Sequence, residues 1–378
     1  MLVSLIIPSF NSRNALEVCL TSLNHQRLGP ADSLEIVVVD DGSDDGTRSM
    51  VENFSCKFPL RCIHKPRTPE SGRSAARNTA IEAATGDLVV MIDADEVVPP
   101  TCVAEHIRYH EHRPDLVVLG PRGYFAEGHI DLERLGSEFT FDALPPVIGG
   151  DSRGGVLAKL SHNLNNMATC WHYLFSCNAS VRREHLSAVG GFEESFTGWG
   201  LEDSELGYRL RQRGLAFAYN PQAVLYHQHA QVLDKDMYAD WRVNLSHFTT
   251  LHPAPEVAAQ WVLDRSFDPA TTDLSWVECC LRFEYAARAF EGRLPTTTPY
   301  RLIEVAEADV ERARAELPGL ARQSPLLLID HTGDGELAAL AQCVETPHDL
   351  VYFPRPGAEE RTRILAAHPH TAEKPGTS

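Results

Sequence analysis

Three carboxylates, Asp93, Asp95 and Glu96, follow the apolar run Leu88-Val89-Val90-Met91-Ile92. A short apolar run of this kind reads as a buried strand, and acids placed where such a strand surfaces can hold a divalent cation. Asp93 and Asp95 stand two residues apart and share a face if strand pairing persists. Two carboxylates leave much of a hard cation's coordination shell open, and water with a bound diphosphate would most naturally complete it. Taken alone, the pattern is better explained as an acidic turn. Other clusters reverse that balance. Gly198-Trp199-Gly200-Leu201-Glu202-Asp203 opens a helix with two acids after a loop in which glycines free the backbone around an indole. Glu202 and Asp203 could instead cap that helix and complement its dipole. His227 and His229 flank one residue after the strand-like Ala223–Tyr226 and supply a candidate third metal ligand.

The elements that must position these groups are legible from hydrophobic patterning. Val3–Ile7 reads as a buried strand ending at Pro8-Ser9-Phe10-Asn11, 14–24 as a helix, and Glu35–Val39 as a strand closed by Asp40-Asp41-Gly42-Ser43. A strand near Leu60–His64, a helix over Arg73–Ala84 and the Leu88 strand follow. Strand, helix and strand in alternation predict right-handed crossovers and a parallel sheet. Pro8, Asp40-Asp41 and Asp93-Asp95 then all lie at carboxyl ends of strands, where open α/β sheets bind ligands. Arg73 opens its helix against the macrodipole, a position that makes sense for anion binding; Arg77, one turn on, is expected to pair with a carboxylate, with the acidic crevice as one place for it. Residues 120–155 read as a long irregular excursion, Phe175–Val181 as a strand, and 237–248, 257–263, 274–290 and 300–316 as helices, with short strands at Leu326–Asp330 and Leu350–Phe353.

Composition narrows the function. A net charge of -18 excludes the basic surface that nucleic-acid binding needs, so a phosphate-bearing ligand must be held by local arginines and a metal. Nine scattered cysteines without a CxxC pair read as free thiols of a reducing compartment. No signal peptide and no membrane-length apolar stretch is visible, and a cytoplasmic protein is expected.

Val3–Asn11, Val39-Asp40-Asp41-Gly42-Ser43, Gly72–Asn78, Asp93-Ala94-Asp95 and Gly198–Asp203 together resemble family 2 glycosyltransferases of the GT-A fold, over roughly residues 1 to 232. The later motifs are similar to the galactosyltransferase C-terminal region found in β-1,4-galactosyltransferases and chondroitin-type polymerases. The resemblance implies an α/β fold, Rossmann-like with a mainly parallel sheet flanked by helices, in a glycosyltransferase domain over 1–235. The region beyond is not covered by it; there the hydrophobic pattern predicts a mostly helical C-terminal region over 236–365, and the Pro/Thr/Gly-rich end a disordered tail over 366–378. The resemblance also implies a metal-dependent, inverting transfer of a sugar from a nucleotide-sugar, a UDP-sugar first, to an acceptor nucleophile of a glycan, peptide or natural product. Carried over by position, Pro8, Phe10, Asp40, Asp41 and Arg73 hold the nucleotide, with Asp93 facing ribose and metal. Asp95 and one of His227 and His229 ligate Mn²⁺ or Mg²⁺. Trp199 lies against the sugars, Glu202 holds their hydroxyls, and Asp203 is the base. A relative of the fold that retains configuration has Glu-Asn where this chain has Glu202-Asp203, which argues for inversion. The region after 235 is expected to shape the acceptor site or a homodimer contact. Two other classes compete: a non-catalytic sugar-nucleotide-binding scaffold, which would be expected to lose the base or the metal acids, and a nucleotidyltransferase, which would carry a Gly-rich phosphate loop where this chain has Pro8-Ser9-Phe10-Asn11.

Overall fold

The computed structural model describes residues 1–160, 163–230, 234–266, 274–291 and 298–372. The apolar runs become strands: β1 (Leu2–Ser9), β2 (Ser33–Asp40), the half-exposed edge strand β3 (Leu60–His64) and β4 (Leu88–Ile92), of which β1, β2 and β4 are largely buried on both faces. After these come β5 (Glu96–Val97), β6 (Leu116–Leu119), β7 (Arg122–Phe125), β8 (Val147–Gly150), β9 (Asn178–Arg182), β10 (Ala216–Tyr219) and β11 (Leu225–His227). The central sheet runs β10-β6-β9-β4-β1-β2-β3. Its pairs are parallel except where β9 runs against both β4 and β6. The α/β class with helices between parallel strands is the expected one. Strand order reverses at β1, with β2 on one side and β4 on the other. The ends of these three strands therefore open on one crevice.

A second, four-stranded sheet, β5-β11-β7-β8, closes one side of that crevice. It draws β7 and β8 out of residues 120–155, where an irregular excursion was expected; the same stretch also holds a helix at Leu132–Ser137. Each of these strands is only two to four residues long. Segments so short carry too few alternations to register as strands in the sequence.

The region after 235 divides in two. The helices Lys235–Leu251 and Trp276–Glu291 pack Trp241, Leu245, Phe248, Cys279, Cys280 and Phe283 into the same core as Trp171, Leu206 and Phe217 of the first domain. Beyond them, β12 (Tyr300–Val305), β13 (Leu326–Asp330), β14 (Leu350–Pro354) and β15 (His370–Ala372) form a parallel sheet in the order β14-β13-β12-β15. The helix expected over 300–316 is corrected here: Tyr300–Val305 is a strand, and the helix begins at Val310. An aromatic and β-branched segment paired on both edges, by β13 and β15, gains more as a strand than its propensity for helix offers. The tail expected to be disordered from 366 contains the end of a helix at Ala367 and the edge strand His370–Ala372; residues 373–378 lie outside the described residues.

Candidate active site

β4 ends at Ile92, and Asp93 to Asp95 form a tight turn before β5 rather than continuing the strand. Convergence of the acids therefore comes from the turn, which is fixed twice. The Asp93 N–H donates to Glu96 Oε2 at 3.0 Å, and Gln228 N–H donates to the Asp95 carbonyl at 2.9 Å. β11 pairs antiparallel with β5 so that His227 stands opposite Glu96. His227 Nδ1 lies 3.5 Å from Asp95 Oδ2, and His229 Nε2 lies 3.8 Å from the same oxygen. His227 is the more enclosed, with 13% of its side chain exposed against 60% for His229.

Electrostatics at this turn favour a cation. Burial disfavours charge on Asp95, but the hydrogen bond and charge of His227, helped by His229, outweigh it and hold the carboxyl below its usual range. Burial likewise opposes charge on His227, yet Asp95, Cys177 and Glu96 raise the imidazole to about 12. Glu96 is pushed well up, first by burial. A site that draws a proton so strongly onto an imidazole is one in which a divalent cation can take the proton's place.

At the neighbouring strand ends, Asp40 and Asp41 behave differently. Asp40 is fully buried, accepts the Ser43 N–H at 3.1 Å and pairs with His64 Nδ1 at 2.8 Å, so both its oxygens are engaged. Asp41 Oδ2 pairs with Arg67 at 2.5 Å, while its Oδ1 is buried and has no hydrogen-bond partner. The Arg67 guanidinium also lies over the Phe10 ring, 4.2 Å from its centroid, and that ring is 47% exposed at the crevice mouth. Pro8 sits within β1 opposite Val39. Arg73 begins the helix Arg73–Ala83 and is exposed, close enough for its charge to favour ionised Glu202.

Arg77, one turn into that helix, joins the two acidic clusters. It is 3% exposed, donates to Asp93 Oδ1 at 2.9 Å and to Glu202 Oε1 at 3.4 Å, and lies 3.9 Å from Asp203 Oδ1. Burial works against its charge, but Asp93, Asp203 and Glu202 more than compensate and hold it protonated. The helix Glu202–Gln212 starts at Leu201, a left-handed residue whose side chain caps nothing. Asp203 does not cap this helix either: its Oδ2 accepts the Ser176 N–H at 2.9 Å, and its Oδ1 is buried without a hydrogen-bond partner. Glu202 is held above the usual carboxylate range, first by burial and then by the charge of Asp203.

The loop before this helix is tied to the C-terminal region. Gly198 and Gly200 have φ of 71° and 93°, and a Cβ on Gly198 would meet Asp240 Oδ2 at 2.3 Å. Asp240 Oδ2 accepts the Trp199 N–H at 3.1 Å. The Asn244 amide donates to the carbonyls of Thr197 and Gly200 at 2.9 and 2.8 Å. These hold the left-handed turn that includes Leu201, which by itself costs about 1 kcal/mol. Sequence reasoning did not single out Arg67, Cys177, Asp240 or Asn244. Arg67 lies in a loop without pattern, and the others become site residues only through pairing or packing between distant segments.

The family model described as Glycosyl transferase family 2 matches residues 4–186. A second, described as the N-terminal domain of galactosyltransferase, matches residues 159–230. The uncharacterized glycosyltransferase YfnE of Bacillus subtilis (strain 168) is 33% identical over 258 residues, covering 60% of this chain and 65% of that protein. Chondroitin synthase of Pasteurella multocida (strain Pm70) is 30% identical over 242 residues, 60% of this chain and 24% of that protein. The match thus spans less than two thirds of the length of either curated relative. Among solved structures, S. aureus TarS 1-349 in complex with UDP aligns over 85% of this chain and 78% of that chain, with 18% identity and a TM-score of 0.48.

Proposed function

We propose that this chain, whose residues 4–186 match the Glycosyl transferase family 2 model, is a glycosyltransferase of that family and moves a sugar from a UDP-sugar to an acceptor nucleophile of a glycan, peptide or natural product, with inversion at the anomeric carbon. One observation carries the reading. Arg77 gathers Asp93 and Asp203 into one crevice and leaves Asp203 Oδ1 buried and without a hydrogen-bond partner. In the proposed step the acceptor oxygen or nitrogen attacks the anomeric carbon as its proton passes to Asp203 Oδ1, and the bond from that carbon to the diphosphate breaks. The Ser176 N–H holds the other carboxylate oxygen and so fixes the direction of the free one. Glu202, beside it, takes sugar hydroxyls, and Trp199 lies against the sugar from a loop that Asp240 and Asn244 hold in shape.

Asp93, Asp95 and His227 are the residues proposed to hold a divalent ion, with His229 farther from Asp95. Carboxylate with imidazole is a donor set suited to Mn²⁺, and carboxylates alone to Mg²⁺. When bound, the ion supplies Lewis-acid stabilisation to the departing diphosphate. The nucleotide end rests on Asp41. A single free acceptor oxygen, with its partner oxygen taken by Arg67, fits the one N–H of uracil, and Phe10 offers a ring beside it. Asp40, with both oxygens engaged, shapes the turn, and Pro8 and Arg73 flank the nucleotide.

A cytoplasmic location is supported by nine free thiols, and among the described residues no helix is long and apolar enough to cross a membrane. The region after 235 is proposed to shape the acceptor side through its hold on the Trp199 loop, and to provide a homodimer contact. The test is a hydrolysis screen over UDP-, GDP- and TDP-sugars with Mn²⁺, read by nucleotide release, with product configuration from NMR. Turnover with the UDP donor and an inverted product are expected. No turnover with any donor, or a retained configuration, would count against the reading.

A further inference from the structure

Beside the Asp93–Asp95 turn lies a donor set of which the transfer reading uses only His227. Glu96, Cys177 and His227 each offer a ligand atom, all within 4.8 Å of one another. Glu96 is fully buried. Its Oε2 is occupied by the Asp93 N–H, whereas its Oε1 has no hydrogen-bond partner and lies 3.3 Å from His227 Nε2. The imidazole therefore stands between two donor sets, with Nδ1 toward Asp95 and Nε2 toward Glu96. A carboxylate on one ring nitrogen orients a histidine and strengthens the other nitrogen as a metal ligand.

Backbone pairing holds all three residues in place. Glu96 and His227 are cross-strand partners in β5 and β11, and Cys177 immediately precedes β9, whose Asn178 pairs with Ile92 at the end of β4. Arg122 approaches the sulfur, its guanidinium donating to Cys177 Sγ at 3.7 Å, and the Arg122 Nε is itself buried without a hydrogen-bond partner. Sulfur, imidazole and carboxylate around one point are a three-residue set for a tetrahedral ion with water as the fourth ligand; oxygen-seeking Mg²⁺ has no use for the sulfur.

We propose that Glu96, Cys177 and His227 form a second cation site, for a thiophilic divalent ion of the Zn²⁺ class, which shares His227 with the hard-cation site at Asp93 and Asp95. On binding, the Cys177 thiol and the Nε2–H of the His227 imidazolium both give their protons to solvent. A neutral imidazole has one lone pair, so an ion on Nε2 leaves the proton on Nδ1, facing Asp95. The two sites therefore compete for His227, and a Zn²⁺-class ion acts against the Mn²⁺-loaded state.

The experiment is a Cd²⁺ titration of the full, metal-free chain, read by thiolate-to-cadmium charge-transfer absorption. It needs no sugar donor, so its failure is separate from failure of the transfer reading. Wild type and the control Cys56→Ser should develop the band with one equivalent of Cd²⁺. Cys177→Ser should lose the band and bind at least about a hundredfold more weakly, since loss of a direct ligand exceeds the loss of a residue behind one. Glu96→Gln, which keeps the side-chain volume, should keep the band but weaken binding at least about tenfold. Absence of a band in the wild type, an unchanged band in Cys177→Ser, or unchanged affinity in Glu96→Gln would overturn the proposal.

Discussion

Replacing Arg77 by methionine keeps most of the apolar stem but removes the guanidinium that Asp93, Glu202 and Asp203 share. Breaking a buried ion pair by deleting one partner costs roughly 3–5 kcal/mol, because the charge left behind is uncompensated. Here the side chain is 3% exposed and two carboxylates lie within 3.4 Å of it, so the upper part of that range is expected. That is a large fraction of the roughly 5–15 kcal/mol that holds a domain folded. The loss should depend on pH. Glu202 faces Arg77, Arg73 and Asp203, and burial with the Asp203 charge already raises its carboxyl while the two arginines pull it down. Without Arg77 it rises further. Between the unfolded and the raised folded value the folded state binds more protons than the unfolded one, so stability falls as pH rises through that window. Urea denaturation of Arg77→Met should therefore show a deficit at about pH 8 that shrinks by about pH 5 as Glu202 is protonated. A deficit under about 1 kcal/mol at the higher pH, or an equal deficit at both, would refute the view of Arg77 as the charge that holds the crevice together.

Asp95→Ala should abolish Mn²⁺-dependent donor hydrolysis while the chain still folds, and His227→Ala should weaken Mn²⁺ binding more than His229→Ala; equal effects of the two histidines would remove the assignment to His227. Asp41→Asn, which loses the free carboxylate acceptor, should raise KM for a UDP-sugar roughly tenfold to a hundredfold, the equivalent of one charged hydrogen bond, at little change in kcat. An unchanged KM would separate Asp41 from the base.

How far the site was legible depends on the range of the interactions that build it. Leu88–Ile92 could be read directly because a strand covered on both faces must be apolar throughout, and its end then locates Asp93 and Asp95. The same reasoning placed Asp40-Asp41 and the Pro8 turn at one sheet edge, since parallel β1, β2 and β4 all point there. Arg77 was expected to pair with a carboxylate, and it does so in the acidic crevice, but nothing local in the sequence showed that it reaches Glu202, 125 positions away. Cys177 and Glu96 meet His227 only through the two-residue strand β5 and the reversed strand β9, whose register no periodicity encodes. Asn244 lies in a helix that could be expected from its pattern, yet its hold on the Trp199 loop depends on how that helix docks. Tyr300–Val305 was misread because an amphipathic segment so short is compatible with either period until its neighbours decide.

The central claim is that Asp203 Oδ1, buried and without a hydrogen-bond partner, takes the acceptor's proton. The direct measurement is the rate of transfer, or of UDP-sugar hydrolysis with water as acceptor, by Asp203→Asn at saturating donor and Mn²⁺, beside its melting temperature and donor Kd. The asparagine still offers an oxygen to the Ser176 N–H but cannot accept the proton. A fall of about a hundredfold to ten-thousandfold in rate is expected, with melting temperature and donor Kd close to wild type. A near-normal rate in this variant would contradict the mechanism.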